Sequence, residues 1–444
     1  MTITDINTDF KKYQTFKNSG VEWIGEIPEH WEVESFKNIL TERNEKNAPI
    51  RSTERLSLSI DKGVTLYAEK TTNLDRFKDD FTQYKLAYKG DLVLNSMNMI
   101  VGAVGVTDFF GCVSPVYYTY HGGLNNSYTT KFCEYLFRCK TVQNVLYSLG
   151  RGLIAIDRGE GKYNTLRLKV ARHDLRSLRL PLPNLSEQTA IVNFLDDKTA
   201  HIDKAIAQKE RLIALLKERM QILIQKAITK GLDNNVEMID SGMEWIGEIP
   251  EHWEVKKLKY VVKILKRIIG YEGPDVLSIT QNGIKVKDIS SGEGQLAMDY
   301  SKYQIINKGE FAMNHMDLLT GYVDISKFDG VISPDYRVFA PIYEGITDEF
   351  LLKLFQIGYK SKIFYGFGQG VSLLGRWRFP ADNFNNFIIP VPPKKEQTEI
   401  ISFLKNQSAK TNKAIGLQEQ QIEKLKEYKS VLIDNAVKGK IKVA

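Results

Sequence analysis

The chain has 444 residues, of which 43% are hydrophobic and 26% are charged, which is typical of a folded globular protein and excludes a fibrous or disordered one. Its longest apolar run, residues 99–106, is too short to span a bilayer, and the polar N-terminus is unlike a secretory signal. Three cysteines without a C-x-x-C pair argue against a disulfide framework or a cysteine-rich zinc site. These features predict a cytoplasmic protein with no membrane association.

The net charge of +7 is unevenly distributed. Residues 34–185 contain 22 basic and 15 acidic side chains, and residues 256–395 contain 19 and 14. Two basic blocks indicate two surfaces that face a polyanion, although charge also fluctuates by several units in any chain of this size.

The first recognisable element is the motif SGVEWIGEIPEHWEV at residues 19–33, which returns as SGMEWIGEIPEHWEV at residues 241–255. Fourteen of the fifteen positions are identical, at an offset of 222 residues. The repeat therefore predicts a duplicated chain. His30 and His252 occupy equivalent positions in the motif, where packing or hydrogen bonding is favoured over catalysis.

The segment after each motif has diverged but keeps a common frame. KGDLVLNSMNM at residue 89 corresponds to KGEFAMNHMDL at residue 308. Short runs of β-formers separated by Gly, Asn and Pro predict a strand-rich domain in both copies, without fixing the strand order.

Each middle segment ends in a proline pair, and a stretch of about 44 residues without internal proline follows it. Apolar residues there recur at heptad spacing, which predicts a long helix. Lys209 and Lys429 interrupt the apolar series. We expect the two helices to pair as an antiparallel coiled coil; packing of each helix on its own domain is the alternative. The residues predicted to pack in this pair are Leu195, Ile202, Ile206, Ile213, Leu216, Met220, Leu223, Leu404, Ile415, Ile422, Leu425 and Leu432.

The predicted fold is α+β: a tandem duplication of a globular mixed α/β domain, each copy followed by a long helix. The predicted parts are an N-terminal arm with the first motif (1–33), the first middle domain (34–185), the central helix (186–232), a linker with the repeated motif (233–255), the second middle domain (256–395) and the C-terminal helix (396–444).

A search for catalytic patterns is negative. The sequence contains no H-E-x-x-H metal spacing, no G-x-S-x-G nucleophile elbow and no phosphate-binding P-loop. The GFGQG stretch at residues 366–370 is typical of a turn rather than a dinucleotide site. We therefore predict no catalytic residue and no metal ligand.

Basic and amide side chains on glycine-rich segments are the candidates for binding a nucleic acid. Arginine can form a fork to guanine or phosphate, and Asn or Gln can pair with adenine. A solvated basic loop is the alternative for any single residue. The candidates are Arg151, Arg158, Lys162, Arg167, Gln281, Asn282, Gln369, Arg376 and Arg378.

The two W-I-G-E-I-P-E-H-W motifs, the two P-x-P-x-x-x-E-Q helix starts and their duplicated order resemble the specificity subunit of type I restriction–modification systems. The resemblance covers nearly the whole chain. It implies that the middle domains are target recognition domains, each reading one half of a bipartite, gapped sequence in double-stranded DNA. It also implies that the helices space these domains and bind two methyltransferase subunits, and that restriction (translocase) subunits join the assembly. S-adenosylmethionine is then expected on the methyltransferase, and ATP and Mg on the restriction subunit.

Two other classes of protein stay open from the residues alone. One is a stand-alone, sequence-specific DNA binder such as a repressor, which would bind its site tightly without a partner. The other is an enzyme that acts on nucleic acid, which would show turnover as a purified chain. A specificity subunit would instead gain full specificity only with its methyltransferase subunits.

Overall fold

The computed structural model describes residues 10–70, 80–122, 127–152, 168–289, 297, 299–370 and 377–443. The chain divides into two compact units. Unit 1 comprises Met1–Glu210 with Glu419–Ala444, and unit 2 comprises Arg211–Gln418. Among the described residues, no helix has both the length and the apolar character that a membrane span requires.

The described strands of unit 1 are β1 (Phe16–Asn18), β2 (Glu26–Pro28), β3 (Glu32–Ser35), β4 (Thr41–Arg43), β5 (Leu56–Ser59), β6 (Gly63–Leu66), β7 (Lys85–Ala87), β8 (Leu92–Asn95), β9 (Val104–Val106), β10 (Gly111–Val113), β11 (Tyr117–His121), β12 (Gly150–Arg151), β13 (Lys169–Val170) and β14 (Arg179–Leu182). Those of unit 2 are β15 (Met238–Met243), β16 (Gly247–Pro250), β17 (Glu254–Lys257), β18 (Val262–Leu265), β19 (Val276–Thr280), β20 (Gly283–Val286), β21 (Gln304–Ile306), β22 (Phe311–Met313), β23 (Val323–Ile325), β24 (Gly330–Ile332), β25 (Arg337–Pro341) and β26 (Ile388–Val391). The described helices are α1 (Phe36–Ile39), α2 (Ser127–Arg138), α3 (Lys140–Leu149), α4 (Arg172–Ser177), α5 (Leu185–Lys230), α6 (Asp348–Lys360), α7 (Ile363–Gly366), α8 (Ala381–Asn386) and α9 (Lys394–Val437).

A four-stranded sheet with the same strand order forms the centre of each middle domain. Its order is β4-β11-β8-β9 in unit 1 and β18-β25-β22-β23 in unit 2, and all neighbouring strands are antiparallel. The duplication predicted from the motifs therefore extends to the topology of the diverged segments. The predicted α+β fold class, with a duplicated mixed domain and two long helices, is confirmed.

A second sheet is more regular in unit 2 than in unit 1. Strands β20-β19-β24-β21 form a single sheet in which β19 runs parallel to β24. In unit 1 the corresponding strands form two separate pairs, β5-β6 and β10-β7, and one parallel bridge between Arg55 and Cys112 replaces the continuous pairing. The frame is thus conserved while the backbone pairing has diverged.

The long helices α5 and α9 begin within two residues of the predicted starts at 186 and 396, and α9 ends before the predicted end at 444. Helix α9 ends at Val437, and residues 438–443 leave the helix, because Gly439 adopts the left-handed conformation with φ of 69°. Gly231 ends α5 in the same way, with φ of 74°. Glycine is the residue that most readily takes this conformation at a helix end.

Within unit 1, α5 and α9 run antiparallel. Lys209 donates to Gln421, and Lys429 Nζ lies 2.7 Å from the Asp203 carboxylate, so positions that advance along one helix retreat along the other. The two lysines that interrupt the apolar series thus both make polar contacts to the partner helix. Polar pairs of this kind fix the register of a coiled coil.

Within unit 2 the same two helices also run side by side, with Thr411 Oγ1 at 3.9 Å from Met220 Sδ. In each unit, residues of both helices belong to the same hydrophobic core as the middle domain. The core of unit 1 contains Leu195 and Leu432, and that of unit 2 contains Ile228 and Leu404. The predicted pairing and its alternative, packing on the domain, are therefore both realised: each helix contacts its partner helix and the domain.

Candidate nucleic-acid interface

Glu187, in the first turn of α5, accepts hydrogen bonds from the first copy of the repeated motif. Trp31 Nε1 donates to its Oε1 over 3.3 Å, and His30 Nε2 lies 2.9 Å from its Oε2. Tyr13 OH donates to the same Oε1 over 3.0 Å, and burial together with this carboxylate raises the pKa of the phenol. Asn184 caps the helix by accepting from Glu187 N over 3.0 Å.

The second copy builds the same joint at the start of α9. Trp253 Nε1 donates to Glu396 Oε2 over 3.0 Å, and His252 Nε2 lies 2.9 Å from the same oxygen. The glycine that ends α5 also contacts this site, because a Cβ on Gly231 would stand 2.7 Å from Glu396 Oε1. The same Cβ would stand 3.2 Å from the Trp253 ring, so Trp253 meets both the beginning of α9 and the end of α5.

The glutamine that follows each of these glutamates connects the helix to its domain. Gln188 donates to Pro183 O over 2.8 Å and accepts from Thr129 Oγ1 over 2.8 Å. Gln397 donates to Pro392 O over 2.7 Å and accepts from Thr347, the N-cap of α6. The repeated sequences thus form the joint between domain and helix. The two motif histidines take part in that joint by hydrogen bonding, and the His30 ring also packs against the ring of Tyr13.

Of the candidates in the first middle domain, the structure describes Arg151. It lies on β12, which pairs with β13 so that Arg151 stands opposite Lys169. Its side chain is 81% exposed, and one guanidinium nitrogen lies 3.6 Å from the carboxylate of Asp174. We refer to the pair Gly150–Arg151 and Lys169–Val170 as the first ribbon.

Of the candidates in the second middle domain, Gln369 and Arg378 are brought directly together. They form an antiparallel bridge in which Gln369 N donates to Arg378 O over 2.8 Å and Arg378 N donates back over 3.0 Å. Both side chains are exposed. We refer to residues 368–369 and 378–379 as the second ribbon.

The other nucleic-acid candidates are not part of the ribbons. Gln281 and Asn282 are exposed in the turn between β19 and β20, in the second sheet of unit 2. Four further candidates lie outside the described residues: Arg158, Lys162, Arg167 and Arg376.

Lys169 is absent from the predicted candidates, although it is exposed opposite Arg151. A signal for it exists in the sequence, since Leu168-Lys169-Val170 has the same apolar–cation–apolar alternation as Trp377-Arg378-Phe379. In the first copy, 17 residues (152–168) separate Arg151 from Lys169, whereas in the second copy 8 residues (370–377) separate Gln369 from Arg378. An alignment of Lys169 with Arg378 therefore requires a nine-residue gap in the connecting segment. The fold supplies that alignment.

Two side chains next to the second ribbon, Arg337 and His315, have pKa values that are lowered by burial. Arg337 is 6% exposed, and burial lowers the pKa of its guanidinium to about 10. The pKa of His315 is lowered to about 4, mainly because the imidazole is buried and also because the Arg337 and Arg378 cations lie nearby. His315 is therefore neutral at physiological pH. Among the described residues, no group of three or more His, Cys, Asp or Glu side chains could hold a metal ion.

The residues predicted to pack between the long helices are all buried or half-buried. In unit 1, Leu195 and Leu432 are fully buried. By contrast, the apolar residues outside the predicted series include side chains that are 43% to 61% exposed. The members of this exposed group on the long helices are Leu185, Leu212, Leu215, Ile222 and Leu417.

Comparisons with known proteins agree with this architecture. A family model described as the type I restriction modification DNA specificity domain matches residues 250–427. A putative type I restriction enzyme MjaX specificity subunit of Methanocaldococcus jannaschii is 26% identical over 460 residues, which cover 98% of each chain. The MjaVIII specificity subunit of the same organism is 27% identical over 290 residues, covering 60% of this chain and 63% of that one.

One solved structure shows the same fold. It is described as "Structural basis underlying complex assembly and conformational transition of the type I R-M system", and its matching chain has a TM-score of 0.61 and 14% identity. The match covers 93% of this chain and 98% of the other. The sequence similarity covers nearly the full length of the chain, and together with the duplicated motifs it makes the chain similar to the DNA specificity subunits of type I restriction–modification systems.

Proposed function

We propose that this chain supplies DNA sequence specificity to a type I restriction–modification complex and has no active site of its own. Residues 34–185 and 256–395 each read one half of a bipartite, gapped target in double-stranded DNA. The observation that carries this proposal is that one fold occurs twice, with conserved joints and with different exposed side chains at equivalent positions. Two readers of different half-sites require this pattern.

The conserved joints support a scaffold role for the helices. Glu187 and Glu396 hold the motif tryptophans in the same way in the two copies. A surface that is preserved in both copies suits two identical partners, which in this proposal are two methyltransferase subunits. Restriction subunits complete the complex. S-adenosylmethionine binds to the methyltransferase, ATP and Mg bind to the restriction subunit, and the assembly acts in the cytoplasm.

A genome-wide map of N6-methyladenine in the source cell, with the gene present and deleted, tests this proposal. We expect a single bipartite, gapped motif to lose its methylation on deletion and to regain it when the gene is restored. Identical maps from a strain in which the methyltransferase is expressed would contradict the proposal. Tight, specific binding by the purified chain alone, without methylation loss, would instead indicate a stand-alone DNA-binding protein.

A further inference from the structure

The first and second ribbons are the same structural element. Val170 N donates to Ser96 O over 3.0 Å, and Phe379 N donates to His315 O over 2.7 Å. Ser96 directly follows β8, and His315 lies two residues after the end of the equivalent strand β22. Each ribbon is thus attached by its second strand to the same place beside the central sheet.

A second hydrogen bond holds each ribbon, and its donor differs between the copies. Tyr118 OH donates to Val170 O over 3.1 Å, and Arg337 Nη2 donates to Phe379 O over 2.9 Å. Tyr118 lies on β11 and Arg337 lies on β25, which are equivalent strands of the two central sheets. Each lies two residues before the position that pairs with the first residue of the neighbouring strand, which is β8 in unit 1 and β22 in unit 2. Tyr118 and Arg337 therefore occupy equivalent positions. The position of the ribbon is therefore maintained even where the side chain that maintains it has changed.

Glycines fix which face of each ribbon points outward. A Cβ on Gly150 would stand 2.9 Å from Leu168 Cβ, and a Cβ on Gly368 would stand 2.4 Å from the Trp377 ring. An apolar side chain of the second strand thus covers the glycine of the first strand. Because side chains alternate along a strand, the neighbouring Lys169 and Arg378 face away from this contact.

We propose that each ribbon enters a groove of the bound duplex and that its outward pair determines one half of the recognised sequence: Arg151 with Lys169 in the first domain, and Gln369 with Arg378 in the second. This inference rests on the proposed function. The ligand is the edge of a DNA base pair. The Gln369 amide can donate to N7 of adenine and accept from its N6 amino group, and the three cationic side chains can donate to the O6 and N7 acceptors of guanine.

The geometry of the second ribbon suits adjacent base pairs. Gln369 and Arg378 exchange both backbone hydrogen bonds, and in such a pair the two Cα atoms lie about 5.5 Å apart. Successive bases rise by about 3.4 Å along a strand, so two long side chains from this pair reach neighbouring bases. The major groove is wide enough to admit a two-stranded ribbon.

Selection of bound duplexes from a randomised pool tests the inference, using the chain purified together with its methyltransferase subunits. We expect Gln369→Ala and Arg378→Ala to relax the motif at one or two positions of one half-site and to weaken binding to the wild-type site by about 5- to 100-fold. Arg151→Ala and Lys169→Ala should do the same in the other half-site. Asn412→Ala and Lys413→Ala, which remove exposed side chains of the same types from α9, should leave the motif unchanged.

The outcomes separate the inference from the function on which it rests. If the wild-type complex selects no bipartite motif, the proposed function fails and the inference fails with it. If the wild-type complex selects such a motif and the ribbon variants select the same one, the inference alone is overturned. Uniform weakening with a salt slope reduced by about one would identify phosphate contacts and would also overturn base reading.

Discussion

Gly439 lies so close to Trp31 that a Cβ at this glycine would stand 3.1 Å from the indole ring and 2.5 Å from Pro28 Cδ. The end of α9 is therefore packed directly on the first motif, whose tryptophan also donates to the beginning of α5. A motif that meets two helix ends at once cannot change without disturbing both. This contact explains why its sequence is nearly identical in the two copies.

Replacing Gly439 with alanine should destabilise unit 1. The substitution places a Cβ against Pro28 and forces a left-handed conformation on an L-residue, which costs about 1–2 kcal/mol before the steric clash is counted. Thermal or urea unfolding measures the change. Gly416→Ala is the control: this glycine lies inside α9 with open space around its Cα, and alanine there should stabilise the protein by about 0.5–1 kcal/mol. Equal effects of the two substitutions would contradict the packing.

The joint of unit 2 should depend on the charge of Glu396. Glu396→Gln weakens the hydrogen bonds from Trp253 and His252, and we expect a loss of about 1–2 kcal/mol in the free energy of unfolding. A double-mutant cycle with Trp253→Phe should show coupling of about 1 kcal/mol. Glu399→Gln changes the same charge one turn later at an exposed position and should cost less than about 0.5 kcal/mol. Additive effects in the cycle would show that the hydrogen bond does not matter.

Stability should fall in mild acid because of His315. Its pKa of about 4 in the folded chain lies below the ordinary value of 6.5, so the unfolded chain binds the proton more readily between these values. The free energy of unfolding should therefore decrease by about 2 kcal/mol from pH 7.5 to pH 5, beyond any contribution of other groups. His315→Ser, which installs the residue found at the equivalent Ser96, should remove this component. The same pH slope in both proteins would rule it out.

Exchange of a recognition domain should change one half of the target. Strands β3 and β14 pair at the base of the first domain, with Val33 opposite Pro181. Crossovers within these strands replace the domain while keeping Trp31 and Glu187, and hence the joint, intact. Methylation mapping should show a new sequence in one half-site and the original sequence in the other. A change in both halves would contradict two independent readers.

Lengthening the helix pair should lengthen the unread spacer. Because Lys209 contacts Gln421, a heptad inserted after Lys209 needs a matching heptad before Gln421 to preserve the pairing. Seven residues extend a helix by about 10 Å, or roughly three base pairs of DNA. Mapping should reveal both original half-sites at a larger separation. The single insertion is the control and should abolish activity by breaking the register. Altered bases within a half-site would contradict a spacing role.

The sequence by itself determined the duplication, the two long helices and the resemblance to specificity subunits, because each is encoded in local patterns. The heptad spacing of residues such as Ile202 and Leu404 reports which face of a helix is buried, and both side chains are buried in the structure. Even the interruptions were visible as Lys209 and Lys429. The contacts that these two lysines make were not visible in the sequence, because a lysine in an apolar series acquires a partner only when the second helix lies beside it.

The tertiary structure alone decided the rest, because it depends on contacts between residues far apart in the chain. Glu187 and Trp31 are 156 positions apart, and only folding brings the carboxylate to the indole. The equivalence of Lys169 and Arg378 is hidden by a nine-residue difference between the copies and becomes visible once both are seen attached to the same strand end. Strand order in the diverged domains is likewise set by packing of the whole sheet, which no local pattern records.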